Sequence, residues 1–249
     1  MNQTRRQLLT GISVASAGAL LLGCRAQPGG TAGSATNDEN KPPAPGEAVP
    51  VEVTAVEDLM REHGVLRRAL LVYQESAVKL REDATALPAD ALEKTAQLFR
   101  VFGEDYHEKR LEESYIIPLI KKVQGPAAAY GDVLLAQHQR GREITDYLLS
   151  ASKTDRIATN QVENVAKTLE SFVRMYEHHA AIEDTIVFPA WKAATGGEEY
   201  EQLSDKFEEI ENEMFGSDGF ESALKRMEEI EASLGLTRLD MFTAPPPPK

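Results

Sequence analysis

The sequence is nearly without cysteine: Cys24 is the single one in 249 residues. A lone thiol excludes an internal disulfide framework, and if that thiol is itself modified, any metal held by this chain must sit on nitrogen and oxygen. Basic residues are scarce, 27 Lys and Arg against 40 Asp and Glu, for a formal net charge of −13. Such a surface disfavours nucleic acid and anionic lipid headgroups. Alternating β-branched runs bounded by turn residues are missing, which argues against a sheet protein. There is also no phosphate-binding glycine loop, hydrolase serine elbow or basic patch. The apolar run from Gly11 to Leu22 is too short for the roughly 20 residues that a bilayer span needs.

What is present begins with an address. Thr4-Arg5-Arg6-Gln7-Leu8-Leu9 resembles the twin-arginine export motif, and the apolar run after it suits a signal peptide. Leu21-Leu22-Gly23-Cys24 resembles the lipobox of bacterial lipoproteins. Residues 1–23 are therefore expected to be removed and Cys24 to carry lipid, leaving the chain on a membrane facing the periplasm or cell exterior. Loss of that segment takes away Arg5 and Arg6 and moves the formal charge to −15, with 25 basic against 40 acidic residues. The lipid must then do the anchoring, and because a single acyl chain holds only marginally, several chains on Cys24 are implied. The twin-arginine route carries folded proteins, so a cofactor can be inserted before export. Residues 24–53, rich in Gly, Pro, Ala, Ser and Thr, read as a flexible tether.

From residue 54 to 193 the apolar pattern is helical. Val56, Leu59, Met60, His63, Leu66 and Leu70 recur at three- and four-residue steps. A second helix is expected from near Ala89 until Gly125-Pro126 breaks it, and a third from about Ala127 to Leu148. Asn160-Gln161-Val162-Glu163 reads as a capping box opening a fourth, which Gly196-Gly197 ends. Four long helices on short connections predict an all-α, up-and-down four-helix bundle. Residues 198–236 are acidic, with Leu203, Phe207, Ile210 and Met214 at helical spacing, and read as additional C-terminal helices packed on the bundle. Residues 237–249 form a Pro-rich tail.

All five histidines fall on the four predicted helices: His63, His107, His138 and the pair His178-His179. They repeat. Asp105-Tyr106-His107 to Glu112-Glu113 and Pro118 lies 71 residues before a second stretch, in which Glu183, Asp184 and Pro189 occupy the matching places. His63 and His138 are 75 apart, each preceded by Glu62 or Gln137. Each half of the bundle thus supplies one lone histidine and one His-plus-acid element, aimed at a common centre. Imidazole suits iron, and Glu112 and Glu183 can offset the cation charge. A four-residue step from histidine to carboxylate keeps both on one face, whereas a five-residue step in an α-helix separates them by about 140°.

On these residues the sequence resembles the hemerythrin, or HHE cation-binding, family over about Ala55 to Trp191. The resemblance implies a four-helix bundle around two iron ions, an oxo- or hydroxo-bridged non-haem di-iron centre that takes O2 or a related small ligand such as NO or peroxide. It implies His63, His107, Glu112, His138, His179 and Glu183 as metal ligands. The spacing to Glu183 selects His179, while the 71-residue repeat selects His178. The oxygen carriers of the family place a second histidine one turn after the first on the third helix; here Arg142 stands there. That departure puts simple O2 carriage in doubt, and it leaves room for Glu108 or a tyrosine as an extra ligand. Tyr106 and Tyr176 flank the histidines as packing or hydrogen-bonding residues. The expected role is carrier or sensor, with no residue assigned as catalytic and the redox partner not specified. A di-iron redox enzyme and a storage-type bundle binding iron or zinc are the alternatives. A ferritin-like oxidase is disfavoured because Glu104-Asp105-Tyr106-His107 has no counterpart on the fourth helix.

Overall fold

The computed structural model describes residues 53–88, 90–154 and 156–248. The twin-arginine stretch, Cys24 and the tether as far as residue 52 lie outside the described residues. The described chain is all-α, with six helices and no strand. Helix α1 covers Ala55–Asp83. Thr54 opens it with a capping box: its hydroxyl accepts the Glu57 amide, and the Glu57 carboxylate accepts the Thr54 amide. Helix α2 runs unbroken over residues 91–120. A short 3-10 turn, Pro126–Ala129, leads into α3, Gly131–Ala151. Helix α4 occupies residues 162–195, followed by α5, Gly197–Phe215, and α6, Gly219–Leu234.

One expectation is corrected. Helix α4 starts at Val162, with Gln161 before it and no side-chain cap. A turn closed by the Gln161 amide on the Ala158 carbonyl (2.7 Å) uses the residues that the expected box needs. Glu163 instead pairs with Arg81 of α1 at 2.9 Å. Pro118 and Pro189 lie inside their helices, which continue to Ile120 and Thr195. Each proline follows a stretch of i→i+5 hydrogen bonds, and that wider turn takes up the missing amide and the ring.

Helices α1 to α4 form the bundle. Leu59, Leu66, Tyr73 and Leu80 lie at seven-residue steps along α1, all buried. Below the site the core is aromatic: Tyr73 stacks on Phe99 at 5.5 Å, and Phe172 meets both edge-on. Gly196 and Gly197 (φ 56° and 51°) turn the chain from α4 into α5 without a Cβ penalty. The apolar side of α5 then covers the bundle, where Phe207 stacks on the fully buried Trp191 at 5.5 Å. Glu231 of α6 receives both arms of Arg68 from α1, at 2.7 and 2.5 Å. The acidic residues Glu198, Glu199, Glu201 and Glu209 remain exposed. No helix among the described residues is long and apolar enough to cross a membrane.

Candidate metal centre

Hydrogen bonds of the i→i+5 kind run through Phe99–Ile116 of α2. That wider turn lays residue i+5 over residue i, so His107 and Glu112 share the inward side despite their five-residue spacing. Helix α4 stays regular to Ile182 and widens only at Glu183–Val187. His179 and Glu183 therefore meet by the ordinary four-residue step, at 3.1 Å. An extra residue precedes Glu112 but not Glu183, so the 71-residue shift lands one position early. His179 is buried and faces inward; His178 is exposed on the outer surface.

The six side chains that the resemblance implies converge at the middle of the bundle, all 4 % exposed or less. The Nε2 atoms of His63 and His107 stand 3.0 Å apart, and those of His138 and His179 stand 3.2 Å apart. Two nitrogens that each meet an ion at about 2.1 Å, at right angles, are separated by about 3 Å. Each carboxylate reaches from one imidazole pair to the other. Glu112 lies 3.4 Å from His107 Nε2 and 3.2 Å from His138 Nε2. Glu183 lies 3.5 Å from His63 Nε2 and 3.1 Å from His179 Nε2. Both Glu112 oxygens and Glu183 Oε2 are buried without a hydrogen bond. Buried carboxylate oxygens left this way are costly, and a cation among the four imidazoles would satisfy them. The donors fall into two overlapping groups able to hold metal, His63-His107-Glu112 and Glu112-His138-His179-Glu183, with Glu112 common to both.

The outward nitrogens are all held. His63 Nδ1 meets Asp184 at 2.7 Å, His107 Nδ1 meets Glu62 at 2.6 Å, His138 Nδ1 meets Glu113 at 3.0 Å, and His179 Nδ1 meets Gln137 at 2.9 Å. An Nδ1–H donated to such an oxygen turns the Nε2 lone pair inward and fixes the ring plane. These four partners were not singled out from the sequence. Their signal lay in the repeat: the residue before each lone histidine serves a histidine of its own half, and the residue after each glutamate serves the lone histidine of the other half. Three of the partners are held in turn: Tyr106 Oη donates to Glu62 (3.1 Å), Arg142 meets Glu113 (2.5 Å), and Arg67 pairs with Asp184.

Glu108 belongs to a third group of possible ligand atoms, with Glu113 and His138. Its oxygens are engaged, however, by the Tyr176 hydroxyl at 2.6 Å and by Arg142 at 3.2 Å. Arg142 thus neutralises two acids beside the centre. Glu108 and Tyr176 also line a small cavity of about 10 Å³ against His63, His107 and His179, closed on its apolar side by Leu66 and Leu70. Space of that size is at the lower limit for one water-sized guest. Gly141 makes the Tyr176 position possible, because a Cβ there would lie 2.0 Å from the hydroxyl. Gly141→Ala is expected to cost about 1–3 kcal/mol by overpacking and to detach Tyr176 from Glu108. Denaturant unfolding and the tyrosine absorption band check the two effects.

The charges are uneven. Burial alone would lower His107, yet Glu112 and Glu62 outweigh it and push its pKa well above the usual value. Against the same burial, Glu108 and Glu112 raise His138. His179 falls to about 4 through burial and the nearby His138. Burial would raise Glu112, but His107 and His138 hold it well below the carboxylate range. Burial and Glu112 together drive Glu183 well above that range.

Glu104, three residues before His107, is fully buried and accepts Thr145 Oγ1 at 2.5 Å. Burial lifts its pKa from 4.5 to about 7, opposed by the Thr145 bond. A pKa raised on folding favours the fold below the unfolded value of 4.5, and that contribution is lost as pH rises through 7. Glu104 should therefore cost about 3 kcal/mol between those limits. Denaturation of wild type and Glu104→Gln side by side at about pH 5 and pH 8 checks this; the loss should be smaller in the variant by about 3 kcal/mol.

The Hemerythrin HHE cation binding domain matches residues 54–190 and, in an overlapping match, residues 130–242. The second match lays α3 to α6 on the same pattern, although α5 and α6 contain no histidine. The chain is 42 % identical over 211 residues to uncharacterized proteins of Mycobacterium bovis and Mycobacterium tuberculosis, covering 81 % of each partner. No solved structure matches it significantly.

Proposed function

The chain belongs to the hemerythrin HHE cation-binding family, and from that premise we propose that it holds two iron ions and binds O2 or a related small ligand such as NO or peroxide. His63 and His107 would hold one ion and His138 and His179 the other, with Glu112 and Glu183 between them. The carrying observation is that each glutamate reaches from one facing imidazole pair to the other, with buried oxygens lacking any hydrogen bond. Oxygen and nitrogen donors of this kind suit Fe²⁺, and two carboxylates balance part of its charge. When bound, iron supplies reversible ligand binding and one-electron chemistry. The chain's own residues orient the imidazoles through Nδ1, exclude water with Leu66 and Leu70, and place the Tyr176–Glu108 pair beside the small cavity.

Arg142, which meets Glu108 and Glu113, stands where oxygen carriers place a histidine. With that ligand replaced by a cation, sensing or carriage of a small ligand is favoured over O2 transport alone. Export through the Arg5-Arg6 motif and anchoring through a lipidated Cys24 are part of the same proposal, supported by the sequence motifs. The test measures iron per chain, then records the visible spectrum as O2 is admitted to the reduced protein. About two irons with bands that reverse on deoxygenation support the proposal. Sustained turnover of peroxide or NO with a reductant would make the protein an enzyme, and a colourless zinc protein would remove iron.

A further inference from the structure

The helices beyond the bundle reach the metal centre through one continuous line of contacts. Phe215, the last residue of α5, meets Tyr106 edge-on, with centroids 5.2 Å apart at 80°, and also packs on Phe102. Tyr106 is buried, and its hydroxyl donates to Glu62 Oε1 at 3.1 Å. The other oxygen of Glu62 holds His107 Nδ1 at 2.6 Å. The turn after α5 is shaped around that ring: Gly216 is left-handed (φ 67°), and a Cβ on Gly219 would lie 2.3 Å from Phe215. A side chain at Gly219 would displace Phe215, and the left-handed backbone at Gly216 disfavours any residue with a Cβ.

The same helical pair grips the segment of α1 that bears Glu62 and His63. Phe220 lies under the Arg61 guanidinium at 4.3 Å. Glu231 takes both arms of Arg68. Tyr200 Oη accepts the Val56 amide at 3.0 Å, at the start of the helix. These three contacts along α1 and the two Phe215 contacts on α2 flank Glu62, the residue that orients His107.

We infer that the α5–α6 pair is a positioning element of the metal centre, acting through Phe215, Tyr106 and Glu62 on the orientation of His107. This rests on the metal reading above. Packing fixes the Tyr106 hydroxyl, the hydroxyl fixes one carboxylate oxygen, and the carboxylate fixes the imidazole ring and raises its basicity as a ligand. Phe215 and Tyr106 are positioning residues, since neither is among the metal-ligating side chains.

The test uses the full chain with Phe215→Ala, Tyr106→Phe and the double variant, loaded with Co²⁺ as the spectroscopic probe. Tyr106→Phe keeps the ring and removes only the hydroxyl. Both single variants should weaken metal affinity by about 10-fold or more and shift the visible Co²⁺ bands. The double variant should be no weaker than Tyr106→Phe alone, because the two act in series. In the metal-free protein, the His107 Nδ1–H resonance should move or exchange faster in all three. Phe215→Ala that lowers the melting temperature, yet leaves the Co²⁺ bands, the affinity and the His107 resonance as in wild type, overturns the inference. If wild type itself binds no metal, the proposed function falls, and the His107 resonance still decides this question.

Discussion

Replacing His107 by alanine is expected to give a helical protein that no longer loads iron. The variant removes one nitrogen of the His63–His107 pair and leaves Glu62 without the ring it holds at 2.6 Å. Taking that ring away from the buried Glu62 carboxylate costs about 1–3 kcal/mol. That cost is bearable because the core lies elsewhere, in the Tyr73–Phe99–Phe172 group and in Trp191 stacked on Phe207. Circular dichroism should therefore stay close to wild type while iron falls from about two per chain toward none. His138→Ala should behave alike, and there Glu113 keeps its pairing with Arg142 when the ring is lost. The two neighbours on α4 should separate cleanly: His179→Ala loses metal, and His178→Ala, altered only at the exposed surface, keeps it. Full iron in both His107→Ala and His138→Ala would overturn the ligand assignment.

The second large effect is on stability. A metal that binds the folded chain alone, supplied at a thousand times its dissociation constant, stabilises it by about 4 kcal/mol. Stripping the metal should remove that gain and bring back the electrostatic cost of the buried donors. Glu183→Gln separates the two contributions. Burial and Glu112 drive the Glu183 pKa well above the carboxylate range, so the metal-free site disfavours its charged form. Glutamine has the same shape and no charge to bury. The metal-free stability should stay within about 0.5 kcal/mol of wild type, while the metal-dependent gain largely disappears. Melting curves of both proteins with and without metal give the answer. A marked loss of metal-free stability in Glu183→Gln would mean that the carboxylate is ionised and held by the protein alone.

Much of this was legible in one dimension. The three- and four-residue apolar steps of α1, the breaks at Gly125-Pro126 and Gly196-Gly197, and the amphipathic spacing around Phe207 and Ile210 each depend on neighbours along the chain. Helical periodicity is a local property, so the all-α bundle and its added C-terminal helices could be read from it. The repeated histidines and glutamates were legible for a related reason: two similar halves must place like residues at like heights. The missed residues failed for the opposite reason. Glu62, Glu113, Gln137 and Asp184 look like ordinary surface polar residues until their helices pack, and each contacts a histidine 25 to 121 residues away in the chain.

The sequence by itself determined the available nitrogen and oxygen donors and the number of long helices, because these follow from composition and from spacing within single helices. Only the tertiary structure decided which of His178 and His179 turns inward, since the wide turn lies between His107 and Glu112 in α2 but begins only at Glu183 in α4, and hydrogen-bond register is set by packing rather than residue type. It alone decided that Arg142 neutralises Glu108 and Glu113, and that Phe215 on an added helix reaches Tyr106. Such contacts join residues far apart in the chain, and no local pattern encodes a distance between helices.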